Sequence, residues 1–209
     1  MKLSIVIPCY NEEEILPLTL ERLNKLSNEW ISRDDLTEIE FVFVDDGSQD
    51  RTYDLLTETS KADQRVKVVR FSRNFGHQVA LLAGYELAQG DVIVSLDADL
   101  QDPPELIGSM LVKIKEGFDV VYAVRKTRGS DSLFKRKTAD IFYWLMKKFG
   151  ANIVPNHADF RMVTRRALNA FLKFHENNLF IRATFPIVGF SSCVVYYDRP
   201  ERLAGETKY

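Results

Sequence analysis

Short, nearly continuous apolar runs alternate with apolar residues at helical spacing through most of this 209-residue chain. Leu3 to Pro8 is such a run, with Ile5, Val6 and Ile7 all apolar, the pattern of a strand covered on both faces. Leu16, Leu20, Leu23 and Leu26 then predict a helix ending near Ser27, with Pro17 in its first turn, where a missing N–H does no harm. A polar stretch from Asn28 to Glu38 leads to a second strand, Ile39 to Val44, which runs into Asp45-Asp46-Gly47-Ser48. Asp50-Arg51-Thr52 opens a helix to about Ala62, and Val66 to Phe71 is a third strand. Ser72 to Gly76 is a loop, His77 to Ala88 a helix closed by Gly90, and Asp91 to Leu96 a fourth strand. A helix from Pro104 to about Glu116 carries Leu106, Met110 and Ile114 on one side and stops at Gly117. Asp119 to Val124 is a fifth strand, ending in Arg125.

Four strand-then-helix units in succession predict an α/β fold with a mostly parallel, doubly wound sheet and helices on both faces. Ligands of such sheets lie at the carboxyl ends of the strands. Here those ends read Tyr10-Asn11-Glu12, Asp45-Asp46-Gly47, Asp97-Ala98-Asp99 and Arg125. Beyond Arg125 the pattern changes: Phe134, Ile141, Phe142, Leu145 and Phe149 share roughly one face of a helix across Ser130 to Phe149. Arg165 to His175 is another helix, while Thr184 to Val188 and Ser192 to Asp198 are expected to be strands, an antiparallel pair at the sheet edge.

From Gly90 to Pro104 the chain reads Gly-Asp-Val-Ile-Val-Ser-Leu-Asp-Ala-Asp-Leu-Gln-Asp-Pro-Pro. If it stays extended past Leu96, the period of two places Asp97, Asp99 and Gln101 on one face. Grouped carboxylates repel one another unless a cation lies between them. Oxygen ligands with no His or Cys nearby favour Mg²⁺ or Mn²⁺, whose shell is completed by water and substrate phosphates. The expected ligand is a metal-bound diphosphate. The alternative is a turn in which Asp102, ahead of Pro103-Pro104, caps the next helix. Neither Gly-x-Gly-x-x-Gly nor Gly-x-x-x-x-Gly-Lys follows a strand, so a phosphate bound here needs a metal in place of a glycine cradle.

Composition narrows the class. Apolar residues make up 45% and charged residues 28%, as in soluble globular proteins. Cys9 and Cys193 stand far apart, which suggests a reducing compartment and buried thiols, Cys9 a small filler and not a nucleophile. His77 and His175 are assigned to helix surfaces or hydrogen-bonded turns, and no histidine spacing suggests zinc. No stretch approaches the ~18 continuous apolar residues of a membrane span, and Met1-Lys2 leads straight into a strand. The chain as given is expected to be cytoplasmic, with no membrane-anchoring segment. Its net charge of −2 is uneven: Arg125 to Gly150 holds eight basic residues against two acidic ones, so that segment carries +6 and the remainder −8. The basic segment fits an anionic partner. One basic helix on an otherwise acidic protein argues against nucleic acid.

The segments Ile5-Val-Ile-Pro-Cys-Tyr-Asn-Glu-Glu13, Val44-Asp-Asp-Gly-Ser-Gln-Asp-Arg-Thr52, Phe71-Ser-Arg-Asn-Phe-Gly76, Gly90 to Pro104 and Arg202-Leu-Ala-Gly-Glu-Thr-Lys-Tyr209 together carry a resemblance. The chain resembles family 2 glycosyltransferases of the dolichyl-phosphate mannose synthase type, particularly bacterial undecaprenyl-phosphate glycosyltransferases. That resemblance implies the GT-A nucleotide-diphospho-sugar transferase fold and an inverting transfer from a nucleotide-diphosphate sugar to a polyprenyl phosphate. It implies a single domain over 1–209, with a nucleotide-sugar-binding half (1–125) and an acceptor-side half (126–209). Pro8, Tyr10, Asn11, Glu12, Asp45, Asp46 and Asp97 would serve the nucleotide; Asp97, Asp99 and Gln101 would position the metal. Arg125 would meet the acceptor phosphate, with Arg136, Arg202 and Lys208 as further cations. Asp159 lies where relatives with hydroxyl acceptors place a base, or else it orients Arg161.

Because the acceptor is already an anion, no strong base is needed, whereas cations must offset repulsion between acceptor and donor phosphates. Relatives usually continue past the final Lys-Tyr into membrane-anchoring spans, and this chain stops at Tyr209. Ser130 to Phe149 then either lies at the membrane surface or packs on the sheet. The expected place of action is the cytoplasmic side of the plasma membrane, and a homo-oligomer stays open. UDP-glucose is the first choice of donor; UDP-N-acetylglucosamine and GDP-mannose are the alternatives. A processive polysaccharide synthase would carry Gln-x-x-Arg-Trp, which this chain lacks. A nucleotide-sugar-binding module without turnover is the reading from another class.

Overall fold

The structure, a computed structural model, describes residues 1–32, 36–126, 157–174 and 181–198. Seven strands form one sheet: β1 (Lys2–Cys9), β2 (Glu38–Asp45), β3 (Val66–Arg70), β4 (Val92–Ser95), β5 (Val120–Arg125), β6 (His157–Thr164) and β7 (Ser192–Tyr197). Their order across the sheet is β3-β2-β1-β4-β6-β5-β7. β6 runs antiparallel to both its neighbours, and every other pairing is parallel. Six described helices connect them: α1 (Leu16–Ser32), α2 (Thr52–Ala62), α3 (His77–Leu87), α4 (Leu106–Lys115), α5 (Arg165–Phe171) and α6 (Ile181–Val188).

The pleat sorts alternate side chains into two cores. Leu3, Ile5 and Ile7 of β1, Phe41 and Phe43 of β2, and Val92 and Val94 of β4 pack with Leu23 and Trp30 of α1, Leu56 of α2 and Met110 of α4. Val6, Val42 and Ile93 face the other way, onto Leu81 and Tyr85 of α3, Phe171 of α5 and Phe185 of α6. There Phe171 and Phe185 stack at 4.2 Å, and Tyr85 meets both edge-on. Near the amino end of β2 the buried Glu40 accepts hydrogen bonds from Ser4 Oγ at 2.5 Å, Gln89 N at 2.6 Å and Lys67 Nζ at 2.6 Å.

The doubly wound sheet matches the sequence reading, but five local expectations need correction. First, α1 runs past Ser27 to Ser32, because Ser27 faces inward with its hydroxyl on the Leu23 carbonyl and the buried Trp30 prolongs the stripe. Second, Thr184 to Val188 is not a strand but lies in α6, where Ile181, Thr184 and Phe185 are buried at helical spacing; a short apolar run does not distinguish the two. Third, among the described residues β7 accordingly pairs parallel with β5 and with no antiparallel hairpin partner. Fourth, β6 was not expected, because its inward-facing Asp159 and Arg161 break the apolar signal. Fifth, the helix expected to reach His175 ends at Phe171. The helix expected over Ser130 to Phe149, and His175, lie outside the described residues.

Candidate active site

Strand order reverses between β1 and β4, so the crevice at their carboxyl ends is the switch point at which doubly wound sheets bind ligands. Two loops are stapled together beside it. Asn11, in the left-handed region at φ 54°, donates its N–H to Ser48 Oγ at 2.9 Å and accepts from Gln49 N at 2.8 Å through its side chain. Glu12 N donates to Thr52 Oγ1 at 2.7 Å, and the Glu12 carbonyl receives the first N–H groups entering α1. Pro8 sits within β1 opposite Val44. Gly47, at φ 72°, packs so closely on the next loop that an added Cβ would lie 2.4 Å from the Arg73 carbonyl carbon.

These loops enclose a cleft of about 580 Å³ lined by Tyr10, Gly47, Ser48, Gln49 and residues 70–74. Arg70 lies over the Tyr53 ring and Arg73 over the Phe75 ring, so the rim is cationic. Asp45 is fully buried beside it. One of its oxygens accepts from Ser48 N at 3.1 Å; the other accepts no hydrogen bond and stands 3.3 Å from Arg70 Nε. Asp46 is placed differently. Its carboxylate, also fully buried, accepts from Phe75 N at 2.7 Å and Gly76 N at 2.9 Å, so it holds the cleft wall.

The acidic stretch does not stay extended. β4 ends at Ser95, and Asp97 to Asp102 fold into a turn in which the buried Leu100 adopts φ 55°. A branched side chain there is a strained position of the kind found at ligand sites. Asp99 Oδ1 accepts from Gln101 N at 3.0 Å, and Thr19 of α1 anchors the turn through the Ala98 carbonyl at 2.8 Å. The half-buried Asp97 lies 3.7 Å from His77 Nε2. Burial pushes the Asp97 carboxyl up to about 6, with His77 pulling it down and the charges of Asp102, Asp99 and Asp159 adding to the rise.

His77 is therefore not a helix-surface residue: it is bracketed by two carboxylates, its second partner Asp159 Oδ2 lying at 3.5 Å. Asp159 also pairs with Arg161 Nη2 at 2.7 Å and with Arg182 Nη2 at 2.8 Å. Burial alone would raise the Asp159 carboxyl, but His77, Arg182 and Arg161 hold it well below the usual carboxylate range. A carboxylate held so low is a weak proton acceptor.

Asp102 does not cap α4, whose first turn follows Glu105. Instead it is buried against Arg125, whose Nη2 donates to Asp102 Oδ1 at 3.0 Å, and against the Tyr197 hydroxyl. Arg136, Arg202 and Lys208 lie outside the described residues. Sequence reasoning missed Arg70 and Arg73, although the strand-end rule applied to β3 points to both. It missed Arg182 because that residue adjoins the segment read as a strand, and Tyr197 because a tyrosine closing an edge strand has no distinguishing pattern.

Asp97 and Asp99 fit a divalent cation: burial first, and then the charges of Asp102, Asp99 and Asp159, push the Asp97 carboxyl up, and a cation would relieve that crowding of charge. Among the described residues no three His, Cys, Asp or Glu side chains gather into a complete metal cage.

A seven-stranded sheet with this order, a cleft at the carboxyl ends of β1, β2 and β3 and an acidic turn after β4 define a GT-A nucleotide-diphospho-sugar transferase fold. Glucosyl-3-phosphoglycerate synthase from Mycobacterium tuberculosis, solved with Mn²⁺, UDP and glucosyl-3-phosphoglycerate, shares it at a TM-score of 0.60 and 17% identity, over 98% of this chain and 73% of that one. The chain belongs to glycosyl transferase family 2, whose profile matches residues 4–174. An uncharacterized glycosyltransferase of Bacillus subtilis (strain 168), YkcC, is 46% identical over 99% of this chain and 62% of its own length. A prophage bactoprenol glucosyl transferase homolog of Escherichia coli (strain K12) is 38% identical over 100% of this chain and 67% of its own length. The chain thus spans about three fifths of the first of these relatives.

Proposed function

We propose that this chain is the catalytic part of an inverting glycosyltransferase that moves a sugar from a nucleoside diphosphate to a polyprenyl phosphate. Glucose from UDP-glucose is the first choice, since one relative is named a bactoprenol glucosyl transferase homolog. The nucleoside enters the cleft between Tyr10 and Arg73. There Asp45 Oδ2, buried without a hydrogen bond, accepts from a base N–H or a ribose hydroxyl. Asp97, Asp99 and Gln101 would hold Mg²⁺ or Mn²⁺, which supplies Lewis-acid stabilisation of the leaving diphosphate.

Arg125, across the acidic turn, receives the acceptor phosphate and reduces its repulsion from the donor. The acceptor is itself the nucleophile, so a strong base is unnecessary, in keeping with the low basicity of Asp159. Among the described residues no helix is long and apolar enough to cross a membrane. The lipid acceptor nevertheless places the reaction at a membrane, and an activated nucleotide sugar places it on the cytoplasmic face.

The observation that carries this reading is the pairing of a nucleoside-sized cleft with crowded carboxylates across the β1/β4 switch, in a family 2 chain. The test incubates the chain with UDP-glucose, UDP-N-acetylglucosamine or GDP-mannose, with Mn²⁺ and a short-chain polyprenyl phosphate. Release of nucleotide together with formation of a lipid-linked sugar supports the transferase; nucleotide binding without release from any donor favours a non-catalytic module.

A further inference from the structure

The side chains around Arg125 form one hydrogen-bonded unit with Tyr197 and Asp102. Arg125 closes β5, and Tyr197, opposite it in register, closes β7. The Tyr197 hydroxyl accepts from Arg125 Nε at 2.9 Å and donates to Asp102 Oδ1, while Arg125 Nη2 donates to the same oxygen at 3.0 Å. Two features hold the phenol in place: its ring meets Phe160 edge-on at 6.3 Å, and its carbonyl accepts from Lys126 N at 2.9 Å. Asp102 and Tyr197 are buried, whereas the Arg125 side chain is 32% exposed. A guanidinium that would otherwise sample many rotamers is thus fixed at two nitrogens while part of its side chain stays exposed. Burial and the Asp102 charge both push the Tyr197 phenol upward, so it stays a protonated donor.

We infer that Tyr197 and Asp102 are positioning residues that aim Arg125 at the acceptor phosphate and tie that aim to the acidic turn. This rests on the proposed acceptor role of Arg125. Asp102 is the hinge of the link, lying three residues beyond Asp99 in the same turn. The arrangement predicts a selective defect: weaker acceptor binding with donor binding intact.

The test measures two dissociation constants by calorimetry, one for a short-chain polyprenyl phosphate and one for UDP with Mn²⁺. Tyr197→Phe keeps the ring on Phe160 and removes only the hydroxyl. It is expected to weaken the lipid phosphate about tenfold, the scale of a hydrogen bond to a charged group, and to leave UDP unchanged. In an Arg125→Ala background the same substitution should add nothing. Asp102→Asn supplies a second variant if Tyr197→Phe does not fold: it should weaken lipid phosphate binding, and should add nothing to that loss in the Arg125→Ala background. Equal weakening of both ligands would overturn the proposal, as would an undiminished tyrosine effect in the Arg125→Ala background. Arg125→Ala binding lipid phosphate as well as the unaltered chain would instead remove the acceptor role of Arg125, and this proposal with it. Absence of lipid phosphate binding by the unaltered chain has that second meaning too.

Discussion

Replacing Asp46 by alanine separates two roles open to a buried carboxylate beside a nucleotide cleft: touching the ligand, or holding the wall. Its oxygens accept from Phe75 N at 2.7 Å and Gly76 N at 2.9 Å. A hydrogen bond to an ionised group contributes about 1.5–3 kcal/mol, so losing both would cost about 3–6 kcal/mol if the freed amides stayed dry. Both bonds are only part-buried, so water reaches the freed amides. Water recovers much of the loss, which leaves about 2 kcal/mol, equivalent to a fall in Tm of about 4–8 °C for a chain of this size. The same bonds place the segment that supplies Arg70 to Asn74 to the cleft, so nucleotide affinity should fall together with stability.

Urea unfolding measures the first effect, and the Tm rise on adding UDP with Mn²⁺ measures the second. Asp46→Asn, which keeps one acceptor oxygen, should fall between the parent and Asp46→Ala in both. If Asp46→Ala unfolds within about 0.5 kcal/mol of the parent, the size of an ordinary surface substitution, and yet loses nucleotide, the carboxylate contacts the ligand and the wall-holding role is refuted.

Three further outcomes are expected. Asp99→Ala should abolish transfer and the Mn²⁺-dependent part of nucleotide binding while circular dichroism shows the fold intact; retained activity would remove Asp99 from the metal site. Gly47→Ala should weaken UDP binding at least tenfold by nucleotide titration, since a side chain at φ 72° is strained and its Cβ would meet the Arg73 backbone at 2.4 Å. Glu40 is lowered from 4.5 to about 2, burial opposing the drop and hydrogen bonds from Lys67, Ser4 and Gln89 driving it. Its contribution, on the order of 3 kcal/mol, is complete above its unfolded pKa and is lost as pH falls toward 2. Glu40→Gln should therefore flatten the acid limb of a stability–pH curve between pH 4.5 and 2, and an unchanged slope would count against the buried cluster.

Legibility in the sequence followed local signal strength. The five parallel strands from Leu3 to Val124 were readable because strands covered on both faces are almost wholly apolar, and the helices between them carry apolar residues at their own period. The strand-end rule located Tyr10, Asp45, Asp97, Asp99 and Arg125 without any contact being known. β6 was not readable, because Asp159 and Arg161 are made tolerable in its interior by each other and by Arg182 and His77, partners distant in sequence.

The sequence by itself thus determined the sheet's winding, the edge that carries the candidate site and the residue types gathered there, since all three follow from the order and period of neighbouring residues. Only the tertiary structure decided what each of those residues does. It turned Asp46 onto the backbone of the cleft wall, left one oxygen of Asp45 without a hydrogen bond, enclosed Asp159 among cations, and made Asp102 the partner of Arg125 and Tyr197. The physical reason is the reach of the interactions. Apolar periodicity is a property of adjacent residues, whereas the partner of a buried charge is chosen by packing between segments as much as 95 residues apart, as Asp102 and Tyr197 are.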